Sequence, residues 1–67
     1  MKNEQLLRLT AALVRLPDAQ REAVILHHLQ GMTLPTVAAR LGRSEPAVAG
    51  LLHRGLKKLR ELLRESE

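Results

Sequence analysis

The sequence contains no cysteine and no phenylalanine, tyrosine or tryptophan, and it has only four glycines and three prolines. Without cysteine no disulfide can staple the chain, and zinc sites built on thiolate ligands are excluded. Without aromatic side chains a sheet-rich core lacks the residues that usually fill it, so cohesion must come from packed aliphatic groups. Long apolar runs are missing as well. None approaches the roughly 18 residues of a membrane span, and the first residues do not resemble a secretory signal. A cytoplasmic location and no membrane partner are therefore expected. What is present is fifteen leucines and eight alanines among 67 residues, a composition that favours helix over strand. A chain of this length has room for three or four helices. We expect residues 1–67 to form one all-α domain.

The formal net charge of +4 suits an anionic partner, and its distribution says more than its size. Residues 1–33 carry four basic and three acidic side chains, whereas residues 40–60 carry Arg40, Arg43, Arg54, Lys57, Lys58 and Arg60 against Glu45 alone. The positive field belongs to the second half of the chain.

Periodicity predicts four helices. From Asn3 to Arg15, Leu6, Leu9 and Leu13 recur at helical spacing, with Leu7 and Val14 widening the stripe. Leu16-Pro17-Asp18 interrupts it, because proline disfavours helix in the residue before it and is tolerated in the first turn of the next helix. A second helix is expected from about Pro17 to Gln30, with Ile25, Leu26 and Leu29 facing the core and Gly31 suited to a left-handed cap. Thr33 is the expected N-cap of a short third helix in which Leu34, Val37, Ala38 and Leu41 line one face. Gly42 stops that helix and Ser44 caps a long fourth one. There Val48, Leu51, Leu52, Gly55, Leu56, Leu59, Leu62 and Leu63 form a continuous apolar stripe reaching to about Arg64.

A short helix, a tight turn opened by glycine and a longer amphipathic helix make a helix-turn-helix pattern, here spanning about residues 33–60. In that arrangement the third helix braces the fourth, whose N-terminal portion can enter a major groove. The side of the fourth helix away from its apolar stripe carries Gly50, His53, Arg54 and Lys57, with Pro46, Ala47 and Ala49 near its start. Small residues permit close approach and basic ones meet phosphate. Ser44, Glu45, His53 and Arg54 are the candidate base readers. Arg43, Lys57, Lys58 and also Arg40 are candidate phosphate contacts.

The same residues also admit a plainer reading, since glycine-punctuated helices occur in many bundles and a basic last turn suits the negative end of a helix dipole. Lys57, Lys58, Arg60 and Arg64 would then be a solvated face. Adjacent His27 and His28 point about 100° apart on a regular helix and do not chelate one metal together, so no metal is expected. Helical spacing brings together no nucleophile, base and orienting group. Neither an enzyme nor a cofactor is expected.

One ordered series of residues resembles region 4 of sigma factors of the extracytoplasmic-function type. It opens with Leu16-Pro17-Asp18-Ala19-Gln20-Arg21-Glu22 and continues through Gly31, Val37-Ala38 and Leu41-Gly42-Arg43-Ser44. It ends with Ala47-Val48, Leu52, His53-Arg54 and Lys57-Lys58-Leu59-Arg60-Glu61-Leu62-Leu63. The resemblance implies a four-helix domain that recognises the −35 element of double-stranded promoter DNA and docks on the β flap of RNA polymerase, with DNA-contacting residues among Arg43, Ser44, Glu45, Ala47, Gly50, His53, Arg54, Lys57 and Lys58. It also implies an apolar surface on the first, second or last helix for the flap, open to an anti-sigma factor too. As an isolated domain the chain is expected to be monomeric. A promoter-melting region would have to come from elsewhere, so an excised domain or a stand-alone relative is expected.

The sequence departs from the family where Thr36 replaces a common glutamate, which removes the reciprocal half of a capping box with Thr33. Ala49, Gly50 and Leu51 stand where polar or basic residues are usual, and Leu56 where a basic one is frequent. Two other readings compete with promoter recognition: a LuxR-type effector domain, which also has four helices and would dimerise through its last one, and, from Ala49, Gly50 and Leu51, a protein-interaction module with little direct DNA reading.

Overall fold

The computed structural model describes residues 3–65 and contains four helical segments, with no strand among the described residues. The first, α1, is Asn3–Val14; the second, α2, is Asp18–Val24 and runs on into a π-helical stretch at Ile25–Leu29; α3 is Leu34–Leu41 and α4 is Glu45–Glu65. All three shorter helices pack against α4. At 21 residues α4 is about 31 Å long, close to the 35 Å long axis of the molecule.

The core follows the aliphatic stripes. Val37 and Val48 are fully enclosed, and Ala12, Leu13, Leu16, Ala23, Val24, Ala38, Leu51, Leu52, Leu59 and Leu62 are buried around them. Leu56 and Leu63 are half-buried against this cluster. Alanines at 12, 23 and 38 let helices approach closely, which is how a chain without large aromatic side chains fills its interior.

Gly55 marks a further close approach. A β-carbon there would lie 3.0 Å from a methyl of Val24 and 3.4 Å from Cβ of Gln20. The missing side chain therefore sets how near α2 comes to α4.

The caps match the sequence closely at the third and fourth helices. The hydroxyl of Thr33 accepts from the backbone N–H of Thr36 and donates to the Thr36 hydroxyl 2.9 Å away. Thr36 thus recovers through its side chain part of what a glutamate would supply. Gly42 adopts φ 66°, and the N–H of Arg43 reaches back to the carbonyl of Ala38 at 3.0 Å, closing α3 in a left-handed turn. Ser44 Oγ accepts from the N–H of Ala47 at 3.2 Å, satisfying one of the otherwise unpaired donors that open α4.

Three features go beyond what periodicity alone describes. Leu6, Leu7 and Val14 on α1, and Leu29 after α2, are 51–68% exposed. Periodicity identifies an apolar stripe, but α1 packs mainly against α4, so the outer edge of its stripe stays uncovered. The second is the π-helical stretch. Gln30 N–H bonds to the carbonyl of Ile25 and Met32 N–H to that of Leu26, with Gly31 at φ 74° completing the turn. Nδ1 of His27 donates to the Met32 carbonyl at 2.7 Å, tying the widened turn to the segment after it. Here the His27 and His28 rings meet edge to face, with centroids 4.8 Å apart.

The third is Arg21. Its guanidinium donates to the carbonyls of Val14 and Leu16, each at 3.1 Å, and to Asp18 at 2.6 Å. Side-chain donors on the last carbonyls of a helix, next to its negative end, stabilise it. Arg21→Ala is expected to cost about 1–2 kcal/mol, seen as a melting temperature roughly 5–15 °C lower in a chain of this size. Arg21→Lys, with a point charge in place of the planar fork, should recover only part of the loss. A melt of Arg21→Ala that overlays the wild type would show that the cap carries no weight.

Candidate nucleic-acid interface

The α3–turn–α4 unit displays the candidate residues as a consequence of how α4 is buried. Successive residues of a helix are about 100° apart, so committing Val48, Leu51, Leu52, Gly55, Leu59 and Leu62 to the interior turns Pro46, Gly50, His53 and Lys57 to the opposite side. His53 and Lys57 are exposed there, and Arg60 and Arg64 extend the basic strip toward the C-terminal end of the helix. That extension is readable from spacing alone. Among the described residues, no buried polar side-chain atom is left without a hydrogen-bond partner, so the interior offers no competing polar centre.

Not every candidate shares this face. Arg54 lies about 60° round from Lys57, beside Ala47, while Lys58 is about 100° from Lys57, toward the edge of the core, and Glu45 falls on the other flank. Glu45, Ala47, Arg54 and Lys58 are all exposed. Arg43 projects from the connection between the helices, and Arg40 from the last turn of α3. Ser44 is exposed, but its oxygen is already engaged as the cap of α4. A base contact by Ser44 is left with its proton and its second lone pair.

At Gly50 the three atoms nearest to where a β-carbon would stand all belong to the guanidinium of Arg54, at 3.2, 3.7 and 3.8 Å. The Arg54 side chain therefore lies back along α4 over a bare stretch of backbone, in the direction helical side chains normally take.

Away from this face, a cleft of about 280 Å³ opens between the widened end of α2 and the end of α3, lined by Ile25, Leu26 and Leu41 with Glu22 and Arg40. No group of three or more His, Cys, Asp or Glu side chains suited to a metal ion occurs among the described residues. No helix of the described residues is long and apolar enough to cross a membrane.

Comparison with known proteins agrees with this geometry. Residues 6–59 match the family described as sigma-70, region 4. Over 61 residues the chain is 43% identical to the ECF RNA polymerase sigma factor SigF of Caulobacter vibrioides (strain NA1000 / CB15N), an alignment covering 91% of this chain and 34% of that protein. The chain thus spans 34% of the length of the curated relative it matches. No solved structure matches it. The matched residues run from the first turns of α1 through most of α4, and on that ground the chain belongs to the sigma-70 region 4 family, in its extracytoplasmic-function type.

Proposed function

We propose that residues 1–67 act as a single, monomeric and non-catalytic promoter-recognition module, which binds the −35 element of double-stranded DNA and docks on the β flap of RNA polymerase. The observation that carries this reading is the α3–α4 joint. A left-handed Gly42 and a capping Ser44 hold the two helices so that the cationic side of α4 faces outward while its opposite side is sealed in the core. Arg43, Lys57, Lys58 and Arg40 serve as phosphate contacts, with Arg54 and His53 aimed at base edges and Ser44, Glu45, Ala47 and Gly50 lining the approach. The uncovered Leu6, Leu7, Val14 and Leu29, together with the apolar cleft at Ile25, Leu26 and Leu41, supply the surface for the flap or for an anti-sigma factor. The module works in the cytoplasm.

The test is a selection from a pool of duplexes with a randomised window, followed by titration of the enriched duplex at several salt concentrations. Enrichment of a defined sequence is expected, with log affinity falling linearly in log salt by about 0.9 per phosphate neutralised. Affinity that ignores salt, or a pool that stays random, would remove DNA recognition. Binding to a polymerase flap fragment in that case would leave the protein-interaction reading in its place.

A further inference from the structure

Apart from Glu45, the first two turns of α4 carry no side chain that can read a base. Ala47 and Ala49 are exposed and Gly50 is half-buried, and none has a donor or acceptor on its side chain. The guanidinium of Arg54, however, is stationed over Gly50, with Nη1 3.2 Å, Nη2 3.7 Å and Cζ 3.8 Å from the position of an added β-carbon. Its head group is therefore displaced about one turn, roughly 6 Å, toward the N-terminal end of the helix. That is the end a major groove would receive.

We infer that Gly50 is a positioning residue for Arg54: its lack of a side chain lets the guanidinium lie along α4 and present its paired donors where the leading turns have none. The inference rests on the promoter-recognition reading above and adds a division of labour within it. Arg54 is the specificity-determining side chain, its target a guanine, whose O6 and N7 match the guanidinium fork. Gly50 determines where that fork points. A contact of 3.2 Å is tighter than a comfortable one, and the atom that must yield is the far end of a flexible side chain. A β-carbon at position 50 therefore shifts the Arg54 head group by a few tenths of an ångström, and a bulkier side chain shifts it further, while the helix stays intact. A bare α-carbon can also serve by letting the duplex backbone come close, and that role makes a different forecast: every sequence would weaken equally on substitution, independently of Arg54.

Wild type, Gly50→Ala, Arg54→Ala and the double variant are to be compared on the randomised duplex pool. Wild type is expected to favour guanine at one window position on the order of tenfold or more. Arg54→Ala should abolish that preference, Gly50→Ala should weaken it with the salt slope unchanged, and the double variant should behave as Arg54→Ala. Gly50→Ala should melt at or above the wild-type temperature, since alanine is the better helix former, and the Nε–H resonance of Arg54 should shift in the free protein. A wild-type preference retained in either single variant overturns the inference. So does a sequence-independent loss in Gly50→Ala that adds in full to that of Arg54→Ala. A wild-type protein with no salt-dependent duplex binding fails earlier and separately, because it removes the parent reading before any variant is measured.

Discussion

Gly55→Leu is expected to remove most of the stability of the chain. The buried α-carbon at 55 faces the Val24 methyl and the backbone of Gln20, whose carbonyl oxygen would lie 3.5 Å from a β-carbon. A leucine there meets Val24 and Gln20 from its first carbon onward and must push α2 away from α4. Overpacking of this kind costs about 1–3 kcal/mol where neighbours can shift, and more where backbone must move. Chains of this length are worth roughly 3–10 kcal/mol in all. The measurement is a denaturant titration followed by circular dichroism, with a midpoint shifted far toward zero or a transition too broad to fit. Gly55→Ala discriminates the cause, because its gain of about 1 kcal/mol in helix propensity is opposed by the methyl 3.0 Å away. In a Val24→Ala background that methyl is gone, and the same substitution should turn stabilising. If Gly55→Ala has the same effect in both backgrounds, the close crossing is not what holds glycine at this position.

The second large effect is on binding. Arg54→Ala combined with Lys57→Ala should weaken the selected duplex on the order of 100-fold, taking one base-reading fork at about 1–3 kcal/mol and one phosphate contact that releases a counterion. Two lost contacts to phosphate would flatten the salt slope by about 1.8, whereas one phosphate and one base contact flatten it by about 0.9. The double variant therefore reports what Arg54 touches as well as whether it matters. Lys58→Ala should have less effect than Lys57→Ala, because Lys58 lies toward the edge of the core. Arg15→Ala, the same change of charge beyond the end of α1, is the control. A loss from Arg15→Ala equal to that from Lys57→Ala would mean that net charge alone governs the interaction.

The parts of this fold that were legible in the sequence are those fixed by neighbours along the chain. Thr33, Gly42 and Ser44 mark the ends of α3 and the start of α4 because capping and left-handed turns are local chemistry. The α4 stripe is equally legible, since one long helix that every other element packs against must bury a full face. Legibility ends where a partner from another part of the chain decides the outcome. The spacing of Leu6, Leu7 and Val14 does not say which edge of α1 will be covered. Gly55 announces a close approach, and only tertiary packing names Val24 and Gln20 as its partners. Arg21 belongs to the segment that resembles sigma factors, yet its cap on the end of α1 depends on a chain reversal at Pro17. Nothing in Ile25-Leu26-His27-His28-Leu29 signals a widened turn. At the site, exposure of the basic residues follows from periodicity, but the placement of Arg54 over Gly50 requires the coordinates.

The connection at Gly42 and Ser44 has a final consequence for energetics. Each residue of that joint is held by a backbone or capping bond, so no slack remains to be taken up when a ligand arrives. Conformational freedom that is already surrendered in the free molecule is not lost again on complex formation. The angle between the bracing helix and the probing helix is thus settled before encounter, and what a duplex must still organise is confined to the tips of a few long side chains.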